Sequence, residues 1–187
     1  MNLKGKQTFQ ADAQAIWNIL MDTDKLTAIT PGISKLERIG DDQFNATSDI
    51  KIGPVKGSFS GDLFLVDKKE PNAFTLKIKQ ESKIGNADAT IQILISEIDD
   101  GNSELSFDGN AKLSGTLART GQRVLTGVAG SLTKQFFKGL EKELDSMQEA
   151  ALKGEVAKEP VLEAKKPQNI FARFLRWLQG LFKSGNQ

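Results

Sequence analysis

The spacing of apolar positions changes along this chain, and each change marks a different kind of element. Residues 2–10 alternate, with Leu3, Gly5, Gln7 and Phe9 on one side and Lys4, Lys6, Thr8 and Gln10 on the other. That is the period of a half-buried strand. Asp12 stands where an N-cap belongs, ahead of a short helix whose Ile16, Trp17 and Leu20 form one stripe. A second helical turn near residues 24–29 stops at Thr30-Pro31-Gly32.

From residue 33 to about residue 115 the period stays near two. Candidate strands run over 33–39, 43–52, 55–67, 73–83, 86–98 and 103–114. Gly40-Asp41-Asp42, Gly53-Pro54, Glu70-Pro71-Asn72, Gly85-Asn86 and Asp99-Asp100-Gly101-Asn102 separate them. Connections this short predict an antiparallel meander. Alternation also assigns faces. Val55, Gly57, Phe59, Gly61, Leu63 and Leu65 share one side, as do Phe74, Leu76 and Ile78. Ala87, Ala89, Ile91, Ile93 and Ile95 form another inner row, and so do Leu105, Phe107, Gly109, Ala111 and Leu113.

Over residues 117–152 the period becomes 3.6. Leu117, Gly121, Val124, Leu125, Val128, Leu132, Phe136, Leu140, Leu144 and Met147 trace one stripe of a long helix. The sum is an α+β domain over residues 1–152, a curved antiparallel sheet of about seven strands around a long C-terminal helix, with two short helices after the first strand. Small residues crowd this interior: Gly57, Gly61, Ala87, Ala89, Gly109 and Ala111 on the sheet, Gly121, Gly127, Ala129 and Gly130 on or beside the helix stripe. They permit close helix–sheet approach, or they leave room for a ligand. Gln7, Ser48, Gln80 and Ser82 also point inward, either to orient a polar head or to line a solvated rim. The candidate lining of an apolar cavity is Trp17, Leu20, Phe59, Leu63, Ile78, Gln80, Ile93, Phe107, Val124, Val128, Leu132 and Phe136.

Residues 153–168 are charged, alanine-rich and broken by Pro160 and Pro167, which reads as a flexible linker. Residues 169–187 then gather Ile170, Phe171, Phe174, Leu175, Trp177, Leu178, Leu181 and Phe182 on one helical face, with Arg173, Arg176 and Lys183 opposite. Those eight apolar side chains represent roughly 12–24 kcal/mol if fully buried, so the face docks somewhere. Its basic reverse side suits an anionic membrane surface; docking on the domain or on a partner protein is the alternative.

Composition narrows the chemistry. The 187 residues include no histidine, cysteine or tyrosine. That excludes disulfides, zinc held by thiolate or imidazole, and every Ser-His or Cys-His nucleophile. Neither GxxxxGK[ST] nor GxGxxG occurs. Asp41-Asp42 and Asp99-Asp100 belong to turns, so no metal site is expected. Alternation points Asp49, Asp62, Glu81, Asp88 and Asp108 outward, leaving no acid or base for catalysis inside. Formal charge is +1, which gives nucleic acid no global attraction, but the tail from Lys165 carries +5 and the rest −4. The N-terminal residues lack a signal peptide's apolar run, so the expected location is cytoplasmic, peripheral on the inner face of the cell membrane.

Four stretches bring a family into view. They are Ile29-Thr30-Pro31-Gly32-Ile33, Lys51-Ile52-Gly53-Pro54-Val55-Lys56-Gly57-Ser58-Phe59, Gly115-Thr116-Leu117-Ala118-Arg119-Thr120-Gly121-Gln122-Arg123 and Gly127-Val128-Ala129-Gly130-Ser131-Leu132-Thr133-Lys134-Gln135-Phe136-Phe137. Over about residues 1–145 the chain resembles the family of carbon monoxide dehydrogenase G subunits, a branch of the START-like (SRPBCC) helix-grip superfamily. The resemblance implies a helix-grip fold over an apolar cavity and an accessory role that brings a molybdenum-containing carbon monoxide dehydrogenase, or a related hydroxylase, to the membrane. Ile29 and Ile33 stand where related sequences often carry cysteine, so no thiol role transfers. The expected ligand is lipophilic, with isoprenoid quinone favoured over other lipids because electrons from a soluble dehydrogenase need a membrane-soluble acceptor. No covalent cofactor is expected. A START-like cyclase or hydrolase and a pure recruitment adaptor with a closed core are the alternatives.

Overall fold

The computed structural model describes residues 1–156, the side chains as far as Ala151. Two units divide the chain, Met1–Ala151 and Leu152–Gln187, and the whole sheet lies in the first. Among the described residues the order is β1 (Asn2–Phe9), α1 (Ala13–Met21), α2 (Thr23–Ile29), β2 (Ile33–Gly40), β3 (Gln43–Ile52), β4 (Val55–Lys69), β5 (Ala73–Glu81), β6 (Ala87–Asp99), β7 (Asn102–Leu113), α3 (Gly115–Arg119) and α4 (Gln122–Val156). The START-like helix-grip architecture expected from the sequence is present.

The strands form one antiparallel sheet in the order β1-β7-β6-β5-β4-β3-β2. Each consecutive pair from β2 to β7 is a hairpin, as the short connections require. β1 closes the far edge against β7, and the N-terminal ammonium donates to Ala111 O at 2.7 Å. Aspartates start both short helices. Asp12 Oδ1 accepts from Ala15 N at 2.6 Å. Asp22 ends α1 and begins α2, its Oδ1 accepting from Asp24 N and Lys25 N at 3.0 Å each. These bonds satisfy amides that a helix N-terminus leaves unpaired.

The helical segment departs from the single long helix expected. Gly121 takes φ +94°, breaking the segment into α3 and α4. At its other end α4 continues to Val156, four residues into the stretch read as linker. Nothing in 153–156 stops a helix; the first proline is Pro160. The rest of the linker and the whole candidate tail, including Ile170, Phe171, Arg173, Phe174, Leu175, Arg176, Trp177, Leu178, Leu181, Phe182 and Lys183, lie outside the described residues. Gly139 lets α4 pass against the end of α2. A Cβ there would stand 2.9 Å from Ile29 O and 3.1 Å from Ile29 Cα.

Candidate functional site

Strand register lines up the helix-facing side chains in rows, because cross-strand partners share a face. One row is Phe74, Ile93, Phe107 and Gly5. The next holds Leu65, Leu76, Ile91, Gly109 and Leu3. Then come Phe44, Leu63, Ile78, Ala89 and Ala111, followed by Ala46, Gly61, Gln80, Ala87 and Leu113. Ser48 and Phe59 lie beyond.

Packing against the helices divides these rows unequally. One cluster joins Phe9, α1, α2, Phe74, Ile93, Ile95 and Leu105 to Phe137, Leu140 and Leu144 of α4. Its aromatic contacts include Trp17 on Phe74 and Phe9 on Phe137, edge to face with centroids 5.7 and 5.9 Å apart. A second cluster joins Val55 and Phe59 to Leu117 and Leu125, with Ile84, Ala87, Leu113 and Val128 against it. The row Phe44–Leu63–Ile78–Ala89–Ala111 enters neither. Nor does Leu132, midway along the α4 stripe between Val128 and Phe136. Leu63, Ile78, Ala89 and Leu132 keep accessible surface although they face inward.

The twelve expected lining residues therefore fall into distinct settings. Trp17, Leu20 and Ile93 are packed solid in the first cluster, with Phe107 and Phe136 against it. Phe59 is packed in the second, with Val128 beside it. Leu63, Ile78, Gln80 and Leu132 mark the band between. Val124 does not belong: it is 36% exposed, and Leu125 takes the buried position. The break at Gly121 separates Leu117 from the rest of the expected stripe, on which Leu125, Leu140 and Leu144 are buried. Ala89 and Ala111 of this band stand on the inner rows that alternation assigned, although the expected lining did not include them.

Polar groups sort as clearly. Of Gln7, Ser48, Gln80 and Ser82, only Gln80 is buried, at 8% exposure. Ser82 instead serves the β5–β6 turn, its hydroxyl donating to Gly85 O at 2.8 Å and accepting from Ile84 N at 3.2 Å. Gln80 Nε2 reaches across Gly61 to donate to Ala46 O at 3.4 Å, while Oε1 has no partner. Asp49, Glu81, Asp88 and Asp108 are exposed; Asp62 is partly buried on the outer face and accepts from Asn45 at 3.0 Å.

A separate groove of about 580 Å³ opens where α1 meets β2–β4. Trp17, Met21 and Leu65 give it apolar surface; Asn18, Asp22, Arg38, Asp42, Lys68 and Glu70 give it a polar rim. Lys68 pairs with Asp42 on that rim, and the Arg38 guanidinium lies 4.9 Å from the centroid of Phe44. Of the expected lining only Trp17 borders this groove. Its rim comes from turns and strand ends that no sequence spacing connects. Leu65 of the groove and Leu63 of the band are successive inward residues of β4.

Among the described residues no helix is long and apolar enough to cross a membrane. No protein of curated function matches the chain in sequence. Among solved structures it resembles a conserved protein from Geobacillus kaustophilus, 32% identical, with a TM-score of 0.76 over 78% of this chain and 96% of that one. It shares its fold with a START superfamily protein from Mycobacterium smegmatis, 13% identical, with a TM-score of 0.65 over 78% of this chain and 98% of that one. The same holds for the ZhuI aromatase/cyclase from Streptomyces sp. R1128, 13% identical, with a TM-score of 0.58 over 78% and 93%. A family profile matches residues 5–145, and with the fold and the motifs at its helix start agreeing, this chain belongs to the CoxG family, the G subunits of carbon monoxide dehydrogenase.

Proposed function

We propose that this chain is a non-catalytic accessory protein that holds a lipophilic molecule between α4 and the sheet. The carrying observation is the band of Leu63, Ile78, Ala89 and Leu132, inward-facing, partly accessible and outside both packed clusters. Apolar walls with one or two polar groups are the usual makeup of a small-molecule site. Leu65, the next inward residue of β4, packs against the first cluster and borders the groove beside α1. Family membership supports a partner of the carbon monoxide dehydrogenase type, and a quinone of that enzyme's electron chain is the favoured cargo. The basic, aromatic-rich tail supports work at an anionic membrane surface.

An enzymatic reading draws on the likeness to an aromatase/cyclase. It lacks an inward carboxylate: the acids on these strands sit on the outer face or in solvent. Mass spectrometry of the organic extract of purified full-length protein tests the proposal. A stoichiometric isoprenoid quinone supports it in full, another lipid revises the cargo, and an empty protein that takes up no lipophilic dye overturns it.

A further inference from the structure

The amide of Gln80 gives the interior a chemical preference. Its row-mates Gly61 and Ala87 are small, and Gln80 itself is buried on the inner face of the sheet. Gly61 stands between Gln80 and β3, and it must be glycine: a Cβ there would meet backbone of β5, Lys79 O at 2.1 Å and Gln80 Cα at 3.1 Å. The orientation of the amide follows from its one hydrogen bond. Nε2 donates to Ala46 O, and the flipped amide would set two acceptors against each other. The oxygen is therefore the atom left over, more than nine-tenths buried with its residue and without a donor. A buried acceptor left unpaired is costly, and a ligand that supplies the donor recovers that cost.

Resting on the ligand-binding reading above, we infer that the molecule held here carries a hydroxyl donor that pairs with Gln80 Oε1. The site then discriminates between two forms of one lipophilic ring. A phenol or hydroquinone donates to Oε1, whereas the corresponding quinone or aryl ether brings a second acceptor against it. For a quinone-type cargo this means tighter holding of the quinol than of the quinone. Unpaired polar atoms reject a mismatched analogue more strongly than apolar walls do.

The test uses the full chain and a redox-inert pair, 1-naphthol and 1-methoxynaphthalene, with affinities measured by calorimetry. The expected preference for the naphthol is about tenfold to a hundredfold. Gln80→Met should bring the ratio near one by weakening the naphthol alone. An unchanged urea midpoint and an unchanged affinity for 1-methoxynaphthalene in Gln80→Met guard against a folding defect in that variant. Menadiol against menadione, without oxygen, should follow the same order. Equal affinities in the unaltered protein, or a preference that survives Gln80→Met, overturn the inference while leaving the cavity reading intact. If neither naphthalene binds, both fall together.

Discussion

Replacing Ala89 with leucine separates an open interior from a filled one by the sign of the effect. Ala89 lies in the row outside both clusters, in register with Ile78 on one side and Ala111 on the other, and keeps accessible surface. Leucine adds three carbons, worth roughly 2.4 kcal/mol of transfer free energy when fully buried at about 0.8 kcal/mol per CH₂. If open space lies ahead of Ala89, part of that gain is realised, and a stabilisation of about 1 kcal/mol is expected, which raises Tm by about 2–4 °C in a domain this size. In a filled interior the same carbons force neighbours apart and cost about 1–3 kcal/mol. Ala13 supplies the control: it is 0% exposed within the first cluster. Ala13→Leu should cost about 1–3 kcal/mol, since helix propensity changes little between the two residues. Thermal and urea unfolding give both values. A second readout is uptake of N-phenyl-1-naphthylamine, which should weaken in Ala89→Leu while stability rises. Equal destabilisation by the two substitutions would mean that the band is solid, and the cavity reading would be wrong.

Gly139→Ala should destabilise by about 1–3 kcal/mol, because the new methyl meets backbone of Ile29 that cannot step aside; an unchanged urea midpoint would show that α4 does not pass this close to α2. Asp12→Ala and Asp22→Ala should each cost about 0.5–2 kcal/mol through loss of a helix cap, with Asp22 the larger since it accepts two amides. Asn at either position should restore most of the loss, an outcome that side-chain charge alone does not produce. Ending the chain after Ala164 should abolish sedimentation with anionic vesicles and leave a folded domain. In the full chain, Trp177 emission should shift to the blue on vesicle addition. Vesicle binding by the shortened protein, or its aggregation, would place the tail in the fold instead.

The strands were legible because every hairpin carries its own turn chemistry and one face of each strand is apolar. Expected and observed bounds for β3 coincide at 43–52, and other strand ends differ by at most two residues. The Asp12 cap was legible for the same local reason, whereas Asp22, which caps α2, was not singled out. What could be misread was continuity. Gly121 looks like one more small residue on a stripe, and only its φ of +94° shows that it separates one helix from the next; of Val124 and Leu125, both placed on that stripe, Leu125 is buried and Val124 is exposed.

The candidate site was legible only in part. Alternation placed Leu63, Ile78 and Gln80 inward, and the helical stripe added Leu132. It could not separate these from Trp17, Leu20, Phe59 and Ile93, which share the same pattern but are packed solid. Periodicity reports which way a side chain points, not whether anything meets it.

Local chemistry therefore determined the elements, the antiparallel order of β2 to β7 and the faces of the sheet, because turn geometry and side-chain period act over a few residues. Tertiary structure decided the rest. It set β1 beside β7, brought the turns and strand ends around α1 into one groove, and left a row of the sheet outside both clusters. It also settled which glycines are forced. Gly61 and Gly139 have neighbouring backbone where a side chain would be, whereas a Cβ on Gly127 or Gly130 would meet nothing within 4 Å. These outcomes depend on distances between segments far apart in the chain, and no local period encodes such a distance.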